Sequence, residues 1–339
     1  MRHPGIMADS TETPNLPAQI AAAIAGVPIA LVPACIKALD RLIGATVDIP
    51  VAWLAQQRSR IDAQTQSYRL VEASIAKAAA SEAGADQATI QTAIDVLVRK
   101  SYRQHANREA VAAAMIEDLS STHEQRTEAD GPPPLSNIDD DWLNVFERYS
   151  EDASTERMQK LWGRVLAGEV RKPGRYSMRT LRFLSEFSQA DALMFADFCN
   201  SVFGDIAPNA LVKPPEIKDI RHLIFLESAG LVQGGSGMGL THRLNLNNEG
   251  SAFLREGALV VLLNGTPGGS IQTPACVLTP LGQELLTLLP GRDSRTAARR
   301  VALAMRTPQI DSAYLTTVEE VSGRLFPMEI LWQKDQPAP

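Results

Sequence analysis

Residues 139–187 read DDDWLNVFERYSEDASTERMQKLWGRVLAGEVRKPGRYSMRTLRFLSEF, and the helical period inside them decides the fold. Trp142, Val145, Phe146 and Tyr149 recur at i, i+3, i+4 and i+7, the spacing of one helical face. Asp139, Asp140 and Asp141 precede them, where carboxylates accept unpaired amides and meet the positive end of the helix dipole. A second stripe, Met158, Leu161, Trp162, Val165, Leu166 and Val170, predicts a helix capped by Ser154. Within it Gly163 and Ala167, four apart, admit the close approach of another backbone. Pro173 and Gly174 end that helix, Ser177 starts "MRTLRFLSEF", and Ser188 starts "SQADALMFADFCNSVF". The expected core of this region is Trp142, Phe146, Leu161, Trp162 and Val165.

The connection between the second and third of these helices is basic. Arg171, Lys172, Arg175, Arg179 and Arg182 cluster there against Glu169, and they are the candidate contacts for phosphate or nucleic acid. The same residues also suit a plain helix–helix turn, because cations complement the negative end of a helix. A phosphate loop would place several glycines before a helix N-terminus, and this turn has one.

Working toward the N-terminus, residues 130–137 read as a Pro-rich linker and 56–129 as long polar helices. Ile90, Ile94 and Leu97, and then Val111, Met115 and Leu119, mark apolar helical faces, with Gly84 as a stop between helices. Residues 18–55 form an apolar helical hairpin, since Lys37, Asp40 and Arg41 separate two apolar pieces. Thr13 to Ile36 carries no charge over 24 residues, long enough to span a bilayer, yet it is Ala-rich and holds Pro28 and Pro33. Two expectations stand for it: burial against partner copies as a homo-oligomer, or membrane contact. Residues 1–17 are expected to be disordered, with Met1 or Met7 as the start.

Toward the C-terminus the pattern changes. The central helical domain covers 138–204, and residues 205–290 read as a small α+β domain. In it "EIKDIRHLIFLESAGLV" is a helix, with Ile220, Leu223, Ile224 and Leu226 facing a core. "GLTHRLNLN" and "GALVVLLNG" are strands and "IQTPACVLT" is a weaker third. "TPLGQELLTLL" is a helix with Thr279 as its cap. This order resembles that of winged-helix domains. Residues 291–339 add a basic helix and a C-terminal β-hairpin. The fold class expected is mainly α, with a small α+β winged-helix-like C-terminal domain.

Composition narrows the function. A net charge of −6, with 45% hydrophobic and 21% charged residues, is globular and argues against a chain devoted to coating nucleic acid. Cys35, Cys199 and Cys276 lie far apart in apolar surroundings and lack C-x-x-C spacing. "GGSGMG" at 234–239 lacks the lysine of a phosphate-binding loop and reads as a connection. The five histidines are scattered, with His222 and His242 the only pair expected to meet. Glu151 and Asp152 could pose as an acid–base pair, but they sit at a helix junction. No catalytic residue, metal or cofactor is expected.

The central stretch above, most specifically "LWGRVLAGEVRKPG", resembles a bacterial family called domain of unknown function 2806. "IPVAWL" at 49–54 and "RQHANREAVAAA" at 103–114 fit the same family. The helix–"W-x-x-x-L-A"–helix arrangement is more distantly similar to the abortive-infection alpha family of phage-defence proteins. Neither resemblance supplies a catalytic residue. With enzyme motifs absent, the expectation is a non-enzymatic interaction protein of the cytoplasm, or peripheral to the inner membrane, and the abortive-infection resemblance implies a place in antiviral defence. A nucleic-acid-binding regulator acting through the winged-helix-like domain is the alternative, and a membrane-acting effector through 18–55 is a second.

Overall fold

A computed structural model of the chain describes residues 26–44, 87–121, 138–214, 220–236, 240–319 and 324–334. The expected tail 1–17, Gly84, the linker 130–137 and most of the 18–55 hairpin lie outside them. The chain divides into two compact units, 1–125 with 150–170, and 126–149 with 171–339. The helices expected as one domain over 138–204 are therefore shared between the units.

In the first unit, α1 (Val32–Ile43) buries Cys35, Ala38, Leu39 and Leu42, a single helical stripe, and packs against α2 (Gln87–Ser121). Pro33 does not break it. It sits in the first turn, where its missing amide has no partner to lose, and Gly44 closes the helix at φ 62°. α2 is one continuous helix of 35 residues. Its C-terminal half buries Val111, Met115, Ile116 and Leu119 as the spacing predicts, whereas Leu97 is 66% exposed, against expectation. The third helix, α4 (Glu156–Arg171), buries Trp162, Val165, Leu166 and Val170. Leu161 is only half-buried, because it lies at the margin of that stripe. Thr155 rather than Ser154 caps α4, its hydroxyl accepting from the Met158 amide at 3.3 Å. Gly163 lies where an added Cβ would stand 2.5 Å from the Ala114 Cβ, so α2 and α4 cross almost backbone to backbone.

The second unit opens with α3 (Asp140–Ser150), capped by the Asp139 carboxylate, which accepts from the Trp142 amide at 2.8 Å. Trp142 and Phe146 are buried and stack with centroids 5.1 Å apart. Then come α5 (Met178–Glu186), capped by Ser177, and α6 (Gln189–Cys199), where Ser188 and Asp191 form a reciprocal capping box. Two four-stranded antiparallel sheets follow.

The first sheet contains β1 (Ile206–Pro208), β2 (Val232–Gln233), β3 (Leu240–Asn245) and β6 (Ser270–Leu278). Ala275 pairs with both Pro208 and Leu240, and Val277 with both Ile206 and Gln233. Strand β6, the weakest candidate from sequence, is thus the centre, with β1 on one side and β2 and β3 in line on the other. Helices α7 (Asn209–Val212) and α8 (Arg221–Ser228) connect β1 to β2, and α9 (Pro280–Leu286) follows β6 with Thr279 as its cap.

The second sheet runs β4 (Ser251–Glu256), β5 (Leu259–Gly265), β7 (Ile310–Val318) and β8 (Leu325–Gln333). Helix α10 (Ser294–Ala304) contributes Ala298, Val301 and Ala302 to one core with Val261, Leu263, Ala313, Leu315 and Trp332. Because β5 pairs with β7, the expected boundary at 290 does not separate two sheets. Helices fill the N-terminal and central described regions as expected. The C-terminal α+β part is larger than expected, since β1, β2 and β4 join the strands foreseen.

Candidate functional site

The basic turn is a stapled corner. Lys172 to Arg175 form a turn in which the Arg175 amide donates to the Lys172 carbonyl at 3.1 Å, with Pro173 second and Gly174 third at φ 80°. Behind it Tyr176 is buried. Its carbonyl accepts from the Trp142 indole N–H at 2.7 Å, and its hydroxyl meets the Thr287 hydroxyl at 3.1 Å. The Glu284 carboxylate of α9 accepts from the Ser177 amide at 2.8 Å and from the Thr180 hydroxyl. Turn, α3, α5 and α9 are therefore locked together.

The five basic side chains lie on this corner in different states. The Arg175 guanidinium rests 5.6 Å over the Tyr176 ring, and Arg182 pairs with Glu186 at 3.5 Å one helical turn on. Lys172 and Arg179 are exposed and Arg171 is half-buried. All five lie between residues 171 and 182, on the end of α4, the turn and α5.

The acid pair serves structure. Glu151 accepts from the Gln104 amide at 2.8 Å and lies 3.5 Å from the Arg108 guanidinium, while its carbonyl accepts from Asn107 at 2.6 Å. The junction before α4 is thereby pinned to α2. Asp152 offers its carbonyl to the Ser154 amide. Burial pushes the Cys35 and Cys199 thiols up to about 12, and raises Cys276 as well, so all three stay protonated near neutrality. Among the described residues no three His, Cys, Asp or Glu side chains gather as metal ligands. His222 is half-buried on α8 and His242 half-buried on β3.

Sequence reasoning missed the surroundings of the glycine-rich loop. Between β2 and β3 the chain leaves the edge of β6 opposite Cys276 and then rejoins it. The amides of Gly234 and Ser236 donate to the Glu227 carboxylate at 2.9 and 2.6 Å, and the Ser236 hydroxyl donates to it too. The Lys213 ammonium, from the C-cap of α7, donates to the Gly234 carbonyl at 2.9 Å. No local spacing signals this, because Lys213 and Gly234 lie 21 residues apart.

A further surface lies on the second sheet, on the face away from α10. The pairing register aligns Phe253, Leu262, Tyr314 and Ile330 in one row across all four strands. Phe253 is 62% and Ile330 53% exposed, and Met328 beside them is also exposed. Pro327 and two register shifts between β7 and β8 blunt the β8 edge, so this surface offers side chains rather than a free backbone ladder.

Residues 98–206 match a family model described as Protein of unknown function (DUF2806). The match contains the quoted helices and "RQHANREAVAAA" and leaves "IPVAWL" outside. No curated protein and no solved structure matches the chain.

Proposed function

We propose that the chain is a non-enzymatic binding protein that self-associates and works through side-chain contact with protein surfaces. The observation that carries this reading is the apolar row Phe253–Leu262–Tyr314–Ile330 on the outer face of the second sheet. Exposed aromatic and aliphatic side chains in contiguous rows mark interaction surfaces. The acid of the Glu151–Asp152 pair that meets other side chains supports it too, since Glu151 braces a helix junction. The resemblance to the abortive-infection alpha family supports a role for this binding in phage defence. Sedimentation across a wide concentration range tests the association. Wild type should be oligomeric, and F253E/I330E smaller at unchanged melting temperature. A wild type that is monomeric throughout overturns self-association, and equal plaque counts with and without the gene remove the defence role.

One observation favours a second reading, a nucleic-acid-binding regulator. Helix α6, β1, helices α7 and α8, then β2–β3 and β6 resemble the order of a winged helix, with the β4–β5 hairpin of the other sheet set between β3 and β6. In that reading α8 enters the groove. Its exposed positions include Ile224, 45% exposed and expected from sequence in the core, between Arg221 and Ser228. An aliphatic centre suits a protein surface better than phosphate, so this reading ranks below the first. For the membrane-acting reading, no helix among the described residues is long and apolar enough to cross a membrane.

A further inference from the structure

The loop after α8 is an anion cradle whose occupant belongs to the chain itself. One Glu227 carboxylate oxygen accepts from the Gly234 amide, and the other from the Ser236 amide and hydroxyl. Amides turned in succession toward one point make a concavity that favours negative charge. Gly234 enters this bend at φ 79°, and a side chain at Gly235 would stand 2.9 Å from the Leu223 carbonyl, so the bend depends on both glycines. Glu227 lies in the last turn of α8, where the helix's negative end disfavours a carboxylate. What stabilises the charge there is the cradle. The Ser236 hydroxyl, first, holds the carboxyl below the usual range, helped by the loop amides. Lys213 adds a positive charge against the same turn, and its charge and that of Glu227 both reach Cys276. Ser236 is exposed and Glu227 half-buried, so solutes reach the cradle.

We propose that this cradle is a binding site for a small phosphate-type oxyanion, and that Glu227 is its internal competitor. The donors now serving the two carboxylate oxygens, the Gly234 and Ser236 amides and the Ser236 hydroxyl, are of the kind a tetrahedral oxyanion uses. Occupancy is then decided by competition between two anions for one set of donors. The ligand class goes beyond the protein-binding reading and does not depend on it.

Calorimetric titration of the full chain with inorganic phosphate, at constant ionic strength with chloride as control, tests this. E227A should bind phosphate at least tenfold more tightly than wild type, and S236A added to E227A should remove that gain. An E227A protein with native circular dichroism and wild-type phosphate affinity overturns the site and leaves Glu227 a structural strap. Should E227A fail to fold, phosphate titration of labelled wild type decides. Saturable shifts of the Gly234 and Ser236 amide resonances support the cradle, and unmoved resonances overturn it.

Discussion

The guanidinium of Arg292 is clamped on the carboxylate of Glu256, and both side chains are largely withdrawn from water, 8% and 16% exposed. The same guanidinium donates to the Cys199 carbonyl at 3.1 Å, to the Val202 carbonyl and to the Ser294 hydroxyl at 3.0 Å. Glu256 in turn accepts from the Gly204 amide at 3.0 Å. One ion pair thus joins the end of α6, the β4–β5 hairpin and the start of α10. Removing one member strands the other charge and several backbone acceptors. Arg292→Ala should destabilise the protein by about 3–5 kcal/mol, the range for breaking a buried pair. Urea denaturation checks it, and a loss under about 1 kcal/mol would show that water replaces the arginine at little cost.

Gly163 and Ala114 set how closely α2 and α4 cross. Because the added Cβ would meet the Ala114 carbonyl carbon at 2.8 Å and the Met115 nitrogen at 2.9 Å, the clash is with backbone and cannot be relieved by a rotamer. Gly163→Ala should cost about 1–3 kcal/mol despite the better helix propensity of alanine. Equal or higher stability of the variant would refute the close crossing.

The basic turn makes a separate prediction. If its role is to close a helical hairpin, K172A/R179A should leave affinity for duplex DNA and its salt dependence unchanged. A phosphate clamp would lose about one unit of log–log salt slope per contact removed. Binding isotherms at several salt concentrations distinguish the two, and a shallower slope in the variant would restore nucleic acid as the partner.

Glu227 predicts a pH dependence. Its folded carboxyl is held below the usual range, by the Ser236 hydroxyl foremost, so the folded state favours the ionised form. The stability it contributes is fully present above the unfolded-state value and disappears as pH falls through the depressed folded value. The difference in melting temperature between wild type and E227Q should be widest near neutrality and close in acid. A difference independent of pH would mean that the ionised carboxylate is not what holds the loop.

Much of the helical architecture was legible from local pattern. Helices announce themselves through period and caps, and the interactions that create both signals span three or four residues. Asp139, Ser177, Ser188 and Thr279 cap helices where the sequence places them, and the stripes holding Trp142, Phe146, Trp162 and Val165 are buried. Leu97 and Ile224 misled for a related reason. Period shows which residues share a face, but not whether a neighbour covers it.

What only the tertiary structure decided was non-local. Strand β6 reads weakly because Pro274 and Cys276 interrupt its alternation, yet pairing on both sides makes it the centre of its sheet. Strand β4 was not among the strands expected, and it pairs with β5, alternating buried Ala252 and Leu254 with exposed Phe253 and Arg255. The glycine loop supplies amides that any reader of "GGSGMG" can see, but the lysine on its Gly234 carbonyl is Lys213 and its anion is Glu227. The sequence by itself determined where helices begin, end and turn a face inward, since that information lies within one or two helical turns. Which strands pair, and which charges meet a loop, depends on closing long stretches of chain, and short-range pattern carries no record of that closure.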